Sequence, residues 1–565
     1  MKSFFKANKK NIFLTAAIVL VIIIGAVASY SVFYHSDLSR FYTKDGAFEA
    51  NLSPDNTVLF AQFSNAGTSQ RTNLQKIWEA FPKNQEAGNL DTFLNDNLST
   101  YGLNYKQDIQ PLWGESSRVS LSVAPDMNTP ENNDVLVTFA VNDPAKAMNL
   151  FDRLSSQTGF FKENLDDAVL VGNSEANLYL TIYKDLVLAS SSRDVLRNTL
   201  DRANKHSLSL VDSDGFKQQF INKYPDNFMF VYLNPGQSQK ASSIAQLNDL
   251  KLSEFFALSA EKEGILISAY MKADGKTTAS DTKSYKNGIG LMKNVSVDGL
   301  IAYFETPNFI KFLHLEDAQA MPSIDQLSSA VQGYLGLDLK KDILTWMDKG
   351  LAISLSSQDD SIIPGVNLLV DASSNVDGAK NLVARVDGQL DGVLTLVKTQ
   401  FAGYGDIVSK QTEEVKDGLV HRLKLDLSKV PDEVFQAFSQ LPDSLKKESV
   451  NLNYGLIAKN ILLISTFNNL EIQDPLSDDV NFKLLLDKID GYENGVLYVI
   501  PANVAPLADQ LIALNSQMSG PLTEEEQLGY GYFKQYVTLF KGVIFGNKMI
   551  SDNEIEAKGF VEIGL

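Results

Sequence analysis

The chain has 565 residues, 44% of them hydrophobic and 21% charged, with a net charge of −19 and no cysteine. That composition is ordinary for a globular protein, and the length provides for more than one core. The absence of cysteine excludes disulfides, thiolate zinc sites, thiol catalysis and a lipoprotein anchor.

Residues 1–34 hold Lys2, Lys6, Lys9 and Lys10 and no acid, so the remainder carries −23. An acidic body of this kind repels nucleic-acid phosphates and anionic headgroups, and no nucleic-acid partner is expected. Residues 11–34 form an uncharged apolar run long enough to span a bilayer. The preceding lysines predict a short cytoplasmic tail at 1–10 and an exported body, that is, a single-pass protein of the cell membrane. The alternative is a signal peptide cleaved after Ala28, since Ala26-Val27-Ala28 fits a small-residue site. A stalk is expected over 35–53.

A first α+β lobe is expected over 54–274. Strands are predicted at 58–63, 118–123 and 134–141, with short helices at 73–82 and 90–98. Asp143 is a suitable N-cap and Pro144 a suitable first helical residue. Behind them Ala147, Leu150, Phe151 and Leu154 recur at helical spacing and predict one buried face. A hairpin is predicted about Lys184-Asp185. Helices at 192–203 and 213–223, a strand at 228–233 and a closing hairpin at 255–272 complete the lobe. Residues 275–289 are polar and predict a linker.

The remaining residues, 290–565, repeat this order. Gly102-Leu103, Lys106, Asp108-Ile109 and Trp113 recur as Gly336-Leu337, Lys340, Asp342-Ile343 and Trp346. Ser120-Leu121-Ser122 recurs as Ser354-Leu355-Ser356, and Asp143-Pro144-Ala145-Lys146 as Asp377-Gly378-Ala379-Lys380, all at one offset. An internal duplication is therefore expected: two lobes, each a mainly antiparallel sheet with helices packed on it. Strands are predicted at 300–304, 367–372 and 495–500. A hairpin is predicted about Lys459-Asn460, and a closing one over 537–561. The helix after Asp377 has its apolar face at Ala379, Leu382, Val383 and Val386. Insertions at 387–420 and 503–530 are where the lobes would differ in task.

Three sequence blocks resemble a bacterial family. They are Pro54-Asp55-Asn56-Thr57-Val58-Leu59-Phe60-Ala61, Asp108-Ile109-Gln110-Pro111-Leu112-Trp113-Gly114 and Asp143-Pro144-Ala145-Lys146-Ala147. The family is catalogued as domain of unknown function 3352. The resemblance implies an N-terminal membrane segment and a large exported body, and no activity. Leu344-Thr345-Trp346-Met347-Asp348 departs from it in lacking the Pro and Gly.

No catalytic, cofactor or metal residue is assigned. His35, His206, His314 and His421 lie in no paired ligand spacing. His421 falls in an alternating strand and is expected on its solvent face. Gly275-Lys276-Thr277 lacks the rest of a phosphate loop. Asp359-Asp360 reads as a turn, and Asp478-Asp479 is a further carboxylate pair with no partner set across a cleft. Glu524-Glu525-Glu526 with Thr523 reads as a capping box. Asp212-Ser213-Asp214-Gly215 reads as a cap rather than a calcium loop. Trp113 and Trp346 are expected to be packing anchors, with a ligand platform as the alternative. The expected function is a non-enzymatic binding or scaffold role at the cell envelope, with an envelope protein or polymer as partner. The alternatives are an envelope-polymer hydrolase using dispersed carboxylates, or a carrier of a lipid or apolar ligand.

Overall fold

A computed structural model describes residues 48–564, apart from 81–102, 113–117, 126–132, 217–226, 235–251, 274–288, 309–321, 401–406, 431–443 and several stretches of one to three residues. The predicted tail, membrane segment, linker interior and Trp113 lie outside the described residues, as do His35, His206 and His314. Gly275-Lys276-Thr277, Asp359-Asp360, the predicted helix at 90–98 and most of the predicted helix at 213–223 do too. Among the described residues no helix is long and apolar enough to cross a membrane. The chain divides into two compact units, Met1–Ala279 together with Ile550–Glu556 and Leu565, and Ser280–Met549 together with Ala557–Gly564.

Among its described residues the first unit has ten strands: β1 (Leu59–Ser64), β2 (Arg118–Pro125), β3 (Asn133–Ala140), β4 (Phe161–Leu165), β5 (Ala168–Asn173), β6 (Leu178–Tyr183), β7 (Leu186–Ser190), β8 (Met229–Leu233), β9 (Leu252–Ala260) and β10 (Gly264–Ala273). All pair antiparallel, in the spatial order β4-β5-β6-β7-β3-β2-β1-β8-β9-β10. Its helices are α1 (Thr68–Ala80), α2 (Pro144–Ser155) and α3 (Arg193–Lys205).

Helix α2 forms for the reasons its sequence gives. The Asp143 carboxylate accepts from the Ala145 and Lys146 amides at 3.0 and 3.4 Å, satisfying donors that the helix leaves free. Ala147, Leu150, Phe151 and Leu154 are buried against Val171, Leu180 and Val187 of the sheet. Each large side chain among them contributes about 1.5–3 kcal/mol by leaving water. Strand β2 is covered on both faces: Val119, Leu121 and Val123 are buried, and so are Ser120 and Ser122. Ser120 meets Thr138 at 2.7 Å, which satisfies both hydroxyls.

Residues 48–53, read as the end of a stalk, instead belong to this unit. Phe48–Asn51 is a 3-10 turn whose Ala50 packs with Phe60 and Phe216, while Leu52 packs with Leu136 and Leu186. Glu49 is also buried, 2.8 Å from Arg118 Nε. Burial pushes its carboxyl above the ordinary value, and Arg118 offsets only part of that.

The described residues of the second unit form ten strands as well: β11 (Leu300–Thr306), β12 (Gly350–Gln358), β13 (Ser361–Asp371), β14 (Val408–Val415), β15 (Gly418–Asp426), β16 (Ser449–Ile457), β17 (Ile461–Ser465), β18 (Gly495–Val499), β19 (Phe540–Ser551) and β20 (Glu554–Ile563). The spatial order is β14-β15-β16-β17-β13-β12-β11-β18-β19-β20. Its helices are α4 (Pro322–Leu335), α5 (Val376–Gln400), α6 (Val480–Lys488), α7 (Val504–Ser519) and α8 (Glu524–Val537).

The recurrent Gly-Leu block forms a π-turn in each unit, Tyr105–Ile109 and Leu339–Ile343, each followed by a 3-10 turn. Its aspartate closes the turn from within. Asp108 accepts from the Asn104 amide at 2.6 Å, and Asp342 from the Asp338 amide at 2.8 Å. Thr523 and Glu526 form the predicted capping box on α8. Asp479 caps α6 through the Phe482 amide, and Asp212 closes a capping box with Ser209.

Three expectations gain detail. The hairpin about Lys459-Asn460 is joined by three residues, Ala458–Asn460, because β16 stops at Ile457, one residue short of the expected end. The apolar face of α5 is only partly covered: Ala379 is fully buried, whereas Leu382, Val383 and Val386 are half-buried. The stretch 387–420, expected as an insertion, holds the later turns of α5 and most of the β14–β15 hairpin.

Candidate functional site

The second unit carries an open groove of about 960 Å³ between α5 and the β14–β16 strands. Its geometry starts at the first turn of α5. Asn375 Oδ1 accepts from the Gly378 amide at 2.9 Å, and the helix begins directly on the Trp346 indole. A Cβ at Gly378 would lie 2.9 Å from Trp346 Cδ1, so only glycine lets the helix come this close. Trp346 itself is fully buried and donates from Nε1 to the Asp342 carbonyl at 2.7 Å.

The sheet side is set by register. Thr412, His421 and Tyr454 stand side by side on β14, β15 and β16, and Glu414, Leu419 and Leu456 form the next row on the same face. Strands β15 and β16 approach closely because Gly418 and Gly455 have no side chain. A Cβ there would fall 1.8 Å from the Leu456 carbonyl oxygen and 2.1 Å from that of Leu419.

Asp387, on α5, ties helix to sheet. It accepts from Tyr454 Oη at 2.7 Å and lies 2.6 Å from Lys410 Nζ and 3.1 Å from His421 Nδ1. Lys410 also reaches Asp391, one turn further along α5, at 2.6 Å. The His421 ring stacks on Tyr454, with centroids 5.3 Å apart. Burial works to raise the Asp387 carboxyl, but hydrogen bonds from Lys410 and Tyr454 and the nearby His421 outweigh it and hold the carboxyl below its ordinary value. Burial and the hydrogen bond to Asp387 both push the Tyr454 phenol well up. Asp387 is therefore an ionised anchor, and Tyr454 stays protonated.

The expected solvent face of this strand is the groove face, and His421 lies on it with its side chain 21% exposed. Alternation places it with Leu419, Leu423 and Leu425, and α5 reaches that face through Asp387 while Leu419 stays exposed. The opposite residue, Val420, is fully buried.

The rest of the lining is Val383 and Ala384 on α5, Leu419 and Leu456 on the sheet, and three lysines: Lys380, Lys416 and Lys459. Glu414 and Asp417 stand exposed at the same rim. Burial holds the Lys416 ammonium below its ordinary value.

The constellation is poorly suited to nucleophilic catalysis. A relay needs the hydroxyl on one imidazole nitrogen and the carboxylate on the other. Here Thr412 Oγ1 and Asp387 Oδ1 both lie 3.1 Å from the same Nδ1. Among the described residues no group of three or more His, Asp or Glu side chains could hold a metal.

Another shifted carboxylate of this unit lies in its core. Glu305 accepts from Tyr303 Oη at 2.6 Å, from Tyr492 Oη, and from the Ile289 amide at 3.0 Å. Burial raises its carboxyl against those hydrogen bonds. It is fully buried and lines no groove, so it serves the fold. Neither site was assigned from sequence. The groove joins residues far apart in the chain, and the only local signal for it is the pair of glycines beside it.

No curated protein and no solved structure matches the chain. The profile of a family described as protein of unknown function (DUF3352) matches residues 13–525, about nine-tenths of the sequence. The chain belongs to that DUF3352 family.

Proposed function

We propose that this is a membrane-anchored, exported binding protein, and that the groove of its second unit holds the ligand at the cell envelope. The observation that carries the reading is the groove itself: ample, open, part apolar and part lysine-lined, with its one intimate carboxylate already engaged. Hydrolysis by paired carboxylates would need one of them raised and facing a cleft. Among the described residues the carboxyls that burial raises, Glu49 and Glu305, lie in cores instead. A scaffold or carrier role is therefore favoured over hydrolysis.

The export part of the reading rests on the lysine-flanked apolar run at 11–34. Protease applied to intact cells, or to spheroplasts where an outer membrane is present, should degrade the body beyond about residue 45. Mass spectrometry should still find residues 1–34 attached. A mature N-terminus at Ser29 would remove the anchor.

We further infer an internal duplication. The two units have matching strand orders, each strand of the second corresponding to the strand ten places earlier in the first. The shared π-turn, closed in each unit by its aspartate on a backbone amide, supports it. On that reading the first unit repeats the architecture, while the long α5 gives the second its groove.

The binding reading is tested by isolating the protein from its own envelope and asking whether it carries a small molecule. The comparison is an Ala384→Trp variant, which fills the groove from the exposed side of α5 without entering the core.

A further inference from the structure

The sheet of the second unit carries an apolar row beyond the groove. Pairing sets Ile464, Leu368, Ile353, Phe304, Leu497 and Phe545 side by side on β17, β13, β12, β11, β18 and β19. Helix α5 closes the row at one end, where Tyr454, paired with Ile464, is buried and bonded to Asp387. Beyond that point Ile464, Ile353, Leu497 and Phe545 are between 37% and 41% exposed, and Leu368 and Phe304 are half-buried. The next row on this face, from Val366 through Leu355, Ala302 and Val499 to Val543, is also uncharged, and none of its residues is fully buried.

The alternate residues of the same strands, Leu463, Leu369, Ala352, Tyr303, Tyr498 and Ile544, are buried. Strands apolar on both sides belong to a sheet covered on both faces. In the first unit the pairing positions of Ile464, Ile353 and Phe304 are held by Val187, Val119 and Phe63, and all three are buried. A contiguous open patch of this kind marks a binding surface, whereas singly scattered apolar residues do not.

The chemistry of the occupant follows from what the face lacks. A peptide laid across it would set its own N–H and C=O groups against an apolar floor, at the loss of their hydrogen bonds to water. A second copy carries the same net charge of −19, which opposes pairing. An alkyl chain brings neither polar groups nor charge. Six strands at about 4.8 Å spacing extend about 24 Å, and one acyl chain covers about 15 Å, half of a bilayer's hydrocarbon core. The source of that chain rests on the anchored reading above. Thirteen residues, 35–47, separate the apolar run from Phe48 and reach about 45 Å at most, which keeps the body close to lipid.

We propose that this row binds an acyl chain of a phospholipid from the membrane that anchors the protein, with the chain lying over Ile464, Ile353, Leu497 and Phe545.

The test uses the full-length protein, one copy per nanodisc, in phosphatidylcholine bearing a diazirine at the end of one acyl chain. After irradiation, mass spectrometry should find lipid joined to residues of the row as well as to 11–34. The same lipid with its diazirine on the choline should leave the row unlabelled. An Ile353→Asn/Leu497→Asn double variant should lose about tenfold of the row's labelling, because two of its four open apolar contacts become amides. Leu208→Asn, at an exposed site of the first unit, should be labelled as the parent is. Melting curves matching the parent establish that the variants fold.

Equal labelling of the row from the choline position, or a double variant labelled like the parent, would overturn the proposal. So would labelling that falls when two copies share a disc, which would assign the face to a second copy. Label at 11–34 alone would remove the proposal and leave the anchor standing. Label at neither place would remove both. The groove under α5 is tested separately, by whether the protein carries a molecule from its own envelope.

Discussion

Replacing Glu305 with alanine is expected to destabilise the second unit by about 3–5 kcal/mol, as losing one member of a buried charged network does. The carboxylate is the shared acceptor for two phenols, Tyr303 and Tyr492, and for the Ile289 amide, all in a dry interior. Alanine would leave those donors without an acceptor and open a void. Against a domain stability of about 5–15 kcal/mol, that is a large fraction. The same residue makes a pH prediction. Burial raises its folded-state carboxyl above the unfolded value of 4.5. The folded unit therefore binds the proton more tightly than the unfolded chain. That stabilisation is complete below 4.5 and is lost as pH rises from there through the folded value. Glu305→Gln does not titrate, so it should flatten this part of the stability profile on the alkaline side of 4.5. Hydrogen exchange of β11 and β18 amides across that range, for parent and Glu305→Gln, reads it directly. A parent profile that climbs with pH, or an alanine variant as stable as the parent, would contradict the assignment.

Trp346→Ala should be comparably severe, at about 3–5 kcal/mol. The indole is fully buried, donates to Asp342, and forms the seat on which α5 begins. Removing it leaves a cavity under Ala379, Leu351 and Val370, which pack in the same cluster. Calorimetry should show the second unit melting earlier and the first unit nearly unchanged. Loss of the seat should also weaken the groove, because Asp387 hangs from the same helix. A variant that melts like the parent would show the indole to be dispensable and revive its reading as a ligand platform.

Local signals made much of the fold legible. Asp143-Pro144 and the spacing of Ala147, Leu150, Phe151 and Leu154 define α2 because capping and amphipathicity act within a dozen residues. The β6–β7 hairpin was readable because two residues, Lys184-Asp185, separate two apolar runs. Strands β4 and β14 were not readable. Phe161-Lys-Glu-Asn-Leu165 and Val408-Ser-Lys-Gln-Thr-Glu-Glu-Val415 are largely polar, since each ends the strand order of its unit and half its side chains meet water. The groove was illegible for a different reason. Asp387 meets Lys410, His421 and Tyr454 only after the β14–β16 strands fold back under α5. No short motif encodes such an encounter. Glu305 likewise reads as the polar end of an apolar strand, until Tyr492, 187 residues away, covers it.

The central claim is that the groove under α5 holds a ligand, and native mass spectrometry of protein released from its own envelope tests it most directly. The parent should appear with an additional bound mass that is lost on mild activation, and Ala384→Trp, equally folded, should appear without it. A parent that carries nothing, or a variant that carries the same mass, would contradict the claim.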